Sequence, residues 1–284
     1  MSVQSASSAP AMGANVAPLP ATATRPSSYD MKLERAKEHL FNLYAEIVGF
    51  LNTNPYGVIL EGDAKPGHSR AEIAFSDPAP PRILIIAGDI LHNLRGALDH
   101  LYWELTHSRP SARPSDESAR RKIQFPIFDS AEAYRANRSK IGRLGPDVLK
   151  MFNNLKPYHG GNDAIWRLNR LSNIDKHRAL LTVAIDAREL RILKQAPSPP
   201  ISEVADGSAL VDYTTVTLTP PFPLNDGAVF ASGLGKSEKN YNVQLSYGIA
   251  FNEPGIAERM EVISTFQELI YHVDVFIKAL APLI

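Results

Sequence analysis

The chain has no cysteine among its 284 residues. That absence excludes disulfides, thiolate-held metal and a cysteine nucleophile, and it fits a reducing compartment, the cytoplasm. Neither sign of charge is in excess. Lys plus Arg and Asp plus Glu stand at 30 each, so no global field draws the protein to nucleic acid or to a membrane surface. Long apolar runs are missing too: the greasiest stretch, Pro81 to His107, is broken by Asp89, His92 and Arg95 before it reaches the roughly 18 uninterrupted apolar residues of a membrane span. A glycine-rich phosphate loop, a GxSxG elbow, an HExxH pair and an EF-hand loop are also absent, which removes the enzyme classes most directly legible in a sequence.

What is present points to one globular domain. With 44% hydrophobic residues the chain can bury a sizeable core. Met1 to Ser28 is rich in Ala, Ser and Pro and carries only Arg25 as a charge; it reads as a disordered tail, with neither the basic start nor the apolar segment of a signal peptide. Residues 29–284 then read as a single α+β domain: a helical core over 29–189 and 256–284, with a β-rich insertion at about 201–252 before the last helix. The expected helices are Tyr29 to Leu51, Pro81 to His107, Ala131 to Arg143, Pro146 to Leu155, Ala164 to about Leu181, and a C-terminal one marked by Ile256, Met260, Ile263, Phe266, Ile270, Val273 and Ile277. Asp77 in SDPAPP is a candidate cap for the second. Gly57 to Glu61 and Ala71 to Phe75 read as a hairpin, Leu190 to Pro200 as a linker, and the alternating segments after Leu210 as an antiparallel sheet of about three strands.

The chain is organised around Pro81 to His107. Leu84, Ala87, Leu91, Leu94, Leu98, Leu101 and Leu105 recur in alternating steps of three and four and define a core seam. Beside it run two further rows: Asp89, Asn93, Gly96, His100, Trp103 and His107, then Gly88, His92, Arg95, Asp99 and Tyr102. Charges on a largely buried helix need partners, and Arg95 with Asp99, four apart on one face, can supply one pair internally. Gly96 in mid-helix predicts a close approach of a backbone or a ligand, since glycine there costs roughly 1 kcal/mol against alanine. A second polar cluster, Asn173, Asp175, Lys176, His177 and Arg178, lies in LSNIDKHR. Between Arg109 and Arg178 the chain holds 15 basic and 7 acidic residues, a local excess of 8 positive charges that permits RNA or another anionic ligand as partner.

The set GDILHNLRGALDHLYW, FPI, KPY and LSNIDKHR resembles a family of uncharacterised bacterial proteins sharing GD-x-LHNLR-x-ALDHL-x-W, FPI, PY and LSN-x-DKHR. The resemblance spans Met31 to Leu181 and implies a grouping without an activity. RGALDH also resembles the R-x4-H pattern of HEPN-type proteins, helical bundles that include metal-independent RNases and toxins. That likeness implies Arg95 as a phosphate clamp and His100 as the acid/base on a ribose 2′-hydroxyl, with Asn93, Asp99, Lys176 and His177 in support. The two lie five apart, about 140° around a helix, so they would have to converge across a helix pair or a homodimer interface. Two other readings stand beside it. Asp89, His92, Asp99, His100 and His177 carry oxygen and nitrogen ligands that a bundle could gather round a metal. Alternatively, the two polar clusters pair as a buried network that fixes helix register, with no catalysis and no cofactor.

Overall fold

A computed structural model describes residues 26–62, 69–75, 78–177, 181, 183–194, 213–216, 222–223, 226–227, 229–234 and 241–284. The tail up to residue 25, the candidate cap Asp77 and Arg178 lie outside the described residues. The helices are α1 (Ser28–Asn52), α2 (Pro81–His107), α3 (Glu117–Arg120), α4 (Ala131–Gly142), α5 (Pro146–Leu155), α6 (Asp163–His177) and α7 (Val262–Leu280). The strands are β1 (Tyr56–Gly62), β2 (Ser69–Phe75), β3 (Val183–Lys194), β4 (Tyr213–Val216), β5 (Val229–Leu234) and β6 (Tyr241–Phe251). The α+β class and the helical bundle are as the periodicity predicts.

Local chemistry sets the helix ends. The Ser27 hydroxyl accepts from the Asp30 N–H at 3.3 Å and starts α1, so the helix begins one residue inside the stretch read as tail. Pro80, in place of a capping side chain, precedes α2, and Pro81 sits in the first turn, where a missing N–H is no loss. The Glu261 carboxylate accepts from the Ile263 and Ser264 N–H groups and starts α7, which leaves Ile256 and Met260 before the helix although they share its period. Asn162 caps α6 through the Ile165 N–H at 3.0 Å.

α1 and α7 pack on α2, and α6 packs on both α2 and α7, so α2 is the central element. Its predicted seam holds from its second member on: Ala87, Leu91, Leu94, Leu98, Leu101 and Leu105 are fully buried, Leu84 is half-buried, and Ile83 and Ile90 join the core. Phe125 of the FPIF segment is buried against Phe152, Phe276 and Tyr102, which docks that segment on the core.

The β structure departs from a single inserted sheet. Six strands form two antiparallel three-stranded sheets, in orders β1-β2-β5 and β4-β3-β6. The predicted hairpin is β1 with β2, in register from Tyr56 opposite Phe75 to Gly62 opposite Ser69, and β5 from the later segment adds to its edge. β3 runs from Val183, inside the stretch read as helical core, to Lys194, inside the stretch read as linker, and pairs with β6. Its alternation is concealed by a bulge between Ala187 and Glu189. Apolar residues at 183, 185 and 187 continue at 190 and 192, a one-residue phase change that defeats a period-two reading. The described part of α6 runs to His177, and Leu181, the predicted end of that helix, lies outside any helix.

Candidate functional site

α2 places its third row against two neighbours. At its middle, Arg95 and Asp99 form the internal ion pair that their spacing predicts, with Arg95 Nη2 3.1 Å from Asp99 Oδ1. Together they hold one residue of the FPIF segment by its backbone: Arg95 Nη2 donates to the Phe125 carbonyl at 2.9 Å, and Asp99 Oδ1 accepts from the Phe125 N–H at 2.8 Å. Both backbone groups of Phe125 are thus satisfied by one turn of α2. Tyr102, the next member of the row, meets the Phe125 ring edge-on, and burial pushes its hydroxyl pKa up to about 12.

Beside this clamp lies a polar pocket of about 360 Å³ lined by Arg95, Gln124, Phe125, Pro126, Ile127, Asn169, Asn173 and Lys176. The α6 contribution follows from helical spacing, since 169, 173 and 176 are one and two turns apart on one face. Arg95 is 6% exposed, and its Nη1 is fully buried with no hydrogen-bond partner. Among the described residues the amides of Gln124, Asn169 and Asn173 have no hydrogen bond within the chain, and Lys176 has no acid within ion-pair distance. Burial lowers the Arg95 pKa and Asp99 opposes the shift. The group stays charged, because arginine is not deprotonated in proteins. The pocket therefore combines a buried guanidinium with an unspent donor, an exposed ammonium and three free amides.

The other predicted residues fall elsewhere. Asn93 is buried against α1, donating to the Asp89 carbonyl at 2.8 Å and accepting from Lys32 Nζ at 3.4 Å. Asp89 and His92 are exposed and lie near Asp175 of α6, whose pKa is raised by desolvation and by the Asp89 charge, while His92 and Lys176 oppose the rise. The close approach expected at Gly96 is instead at Gly88. A Cβ on Gly88 would lie 2.7 Å from Asp175 Oδ1, whereas one on Gly96 would meet only the Lys32 methylenes at 3.7 Å. His100 is exposed, shares the stripe of Asn93 and Gly96, and does not line the pocket, so Arg95 and His100 are not brought together within one chain. His177 closes α6.

The expected buried network is accordingly narrower than its residue set: of the polar α2 residues proposed for it only Asn93 and Arg95 are buried, while Asp89, His92 and His100 are exposed. Among the described residues no group of three or more His, Cys, Asp and Glu is placed to hold a metal ion. No described helix is long and apolar enough to cross a membrane.

No protein-family model, no curated protein and no solved structure matches this chain. The pocket is read from its own chemistry. Sequence reasoning had Arg95, Asn173 and Lys176 as site residues and missed Gln124 and the pocket role of Asn169. Asn169 did share the row of Asn173 on α6; Gln124 offered no signal, because its position depends on how Phe125 docks. His159 and His272, without a constellation in the sequence, stack on Trp166 and hydrogen-bond Asn162.

Proposed function

We propose that the chain binds a small oxyanion-bearing ligand in the pocket between α2, α6 and the FPIF segment. The observation that carries this reading is the lining of the polar cavity, which brings the positive charges of Arg95 and Lys176 together with three amides and includes no acid. An anion held between two such charges gains charge-assisted hydrogen bonding and partial relief from desolvation. Lys176 supplies the second positive charge. A pocket of about 360 Å³ lies at the lower end of the size range for small-molecule sites. The depth of Arg95 favours a compact ligand over an RNA backbone lying across the surface. The cytoplasm is the setting this reading adopts, on the zero cysteine count.

Thermal unfolding in increasing inorganic phosphate and sulfate tests the reading. Binding to the native state alone raises the midpoint with ligand concentration. The rise is expected in the natural chain and reduced in Lys176→Gln, whose exposed side chain carries no core contact. An unchanged midpoint with both anions, at ionic strength matched with chloride, would sink it.

A further inference from the structure

The donors of the pocket are arranged for one shape of anion and for more than an anion. Planar carboxylates are gripped best by two parallel N–H groups on one edge of a guanidinium. Arg95 cannot offer its Nη1–Nη2 edge, because Nη2 is occupied by the Phe125 carbonyl at 2.9 Å and the Asp99 carboxylate at 3.1 Å. What remains on Arg95 is Nη1, which is sealed from solvent, and Nε, which share no edge, with Lys176 bringing a point charge from a different element. Donors that converge from separate directions suit the distributed oxygens of a tetrahedral group. Most of the cavity is then still unfilled, for 360 Å³ is far more than a bare phosphate occupies.

The remaining polar lining consists of amides. Asn169 and Asn173 stand one turn apart on α6, and Gln124 faces them from the segment before Phe125. Each amide offers both a donor pair and an acceptor, which matches a hydroxyl, itself donor and acceptor, better than it matches a second anion. The carboxylate paired with Arg95, Asp99, is spent on Phe125 and Arg95, and among the described residues that line the pocket no acid repels a dianion.

We infer that the ligand is the phosphate ester of a small polyhydroxylated molecule, its phosphoryl group at the Arg95 and Lys176 end of the cavity and its hydroxyls on Gln124, Asn169 and Asn173. This rests on the oxyanion reading above and adds to it the shape of the anion and the nature of the organic part.

Calorimetric titration of the full chain separates the two. The probes are inorganic phosphate, three polyol phosphates (glycerol 3-phosphate, ribose 5-phosphate and glucose 6-phosphate), unphosphorylated ribose, and gluconate as a hydroxylated carboxylate. At least one polyol phosphate is expected to bind about tenfold or more tightly than inorganic phosphate, the gain of two or so added hydrogen bonds. Ribose and gluconate are expected to bind more weakly than inorganic phosphate. The double variant Asn169→Ala, Asn173→Ala should lose the polyol gain while keeping the affinity for inorganic phosphate, which also shows that the variant is folded. Phosphate binding with no gain for any of the three esters overturns this inference and leaves the oxyanion site standing. Gluconate binding as tightly as the best ester overturns the tetrahedral preference. No binding of inorganic phosphate or of any ester overturns both.

Discussion

The two ends of the polar row on α2 contain the same kinds of residue and behave differently. At Arg95 and Asp99 the charges face a backbone: the carbonyl and N–H of Phe125 give each an acceptor or donor at 2.8–2.9 Å, and the pair is held close and mostly buried. At Gly88, Asp89 and His92 the charges face another helix, and the carboxylate of Asp175 lies against bare helix backbone beside a second carboxylate. One end is held by paired contacts to a docked backbone; the other is a crowded crossing in which ionisation of Asp175 is opposed. Ionisable residues on a central helix thus acquire their roles from what is docked against them, and here the docked partner of the first end is a segment with no charge at all.

The largest effect expected from breaking this contrast is at Asp99. Asp99→Ala leaves a buried guanidinium without its counter-ion and the Phe125 N–H without an acceptor. Loss of one partner of a buried pair costs about 3–5 kcal/mol, and the partial exposure of Asp99 reduces this to roughly 2–3 kcal/mol. Urea unfolding measures it, and a loss within experimental error would show that the FPIF segment is held by ring packing alone.

The two glycines sharpen the comparison with opposite signs. Gly88→Ala drives a methyl against the Asp175 carboxylate and is expected to cost about 1–3 kcal/mol, while Gly88→Ala combined with Asp175→Ala should recover most of it. Gly96→Ala meets only flexible Lys32 methylenes and is expected to stabilise by about 0.5–1 kcal/mol through helix propensity. Midpoints of chemical unfolding for the three variants decide the matter.

A smaller, pH-dependent difference belongs to Asp175. Its folded-state pKa is raised, by desolvation first and then by Asp89, so its contribution to stability is full below the unfolded value of about 4 and is lost as pH rises through the folded value. Asp175→Asn removes that loss. The variant should melt above the natural chain at neutral pH, with the gap closing as pH falls toward the unfolded value. A gap independent of pH would mean that the carboxylate is not destabilised at the crossing.

The smallest effect is expected at His100, which is exposed and outside the pocket. His100→Ala should change stability by less than about 0.5 kcal/mol and leave phosphate binding unaltered. A loss of phosphate binding would bring His100 to Arg95 across two copies of the chain and favour the R-x4-H nuclease reading, which incubation with RNA in EDTA would then test.

Much of this was legible in the chain itself. The bounds of α2, the Arg95–Asp99 pair and the hairpin all follow from interactions a few residues apart or from a strong apolar period, and local spacing is enough to compute them. The long strand β3 was hidden because one bulged residue resets its alternation, and the split into two sheets was hidden because strand partners lie far apart in sequence. The close approach was assigned to the wrong glycine for a related reason: a glycine's spacing says that space is needed, but the direction of the neighbouring helix says which glycine uses it. By itself the sequence determined a helical bundle around α2 and the residue types able to carry charge there. Tertiary structure decided that Arg95 would keep one buried donor without a partner while Asp99 spent its oxygen on Phe125, and that Gln124, Asn169, Asn173 and Lys176 would line a cavity with Arg95. Satisfaction of a polar group depends on the residue that chain folding brings opposite it, and that residue is not among its sequence neighbours.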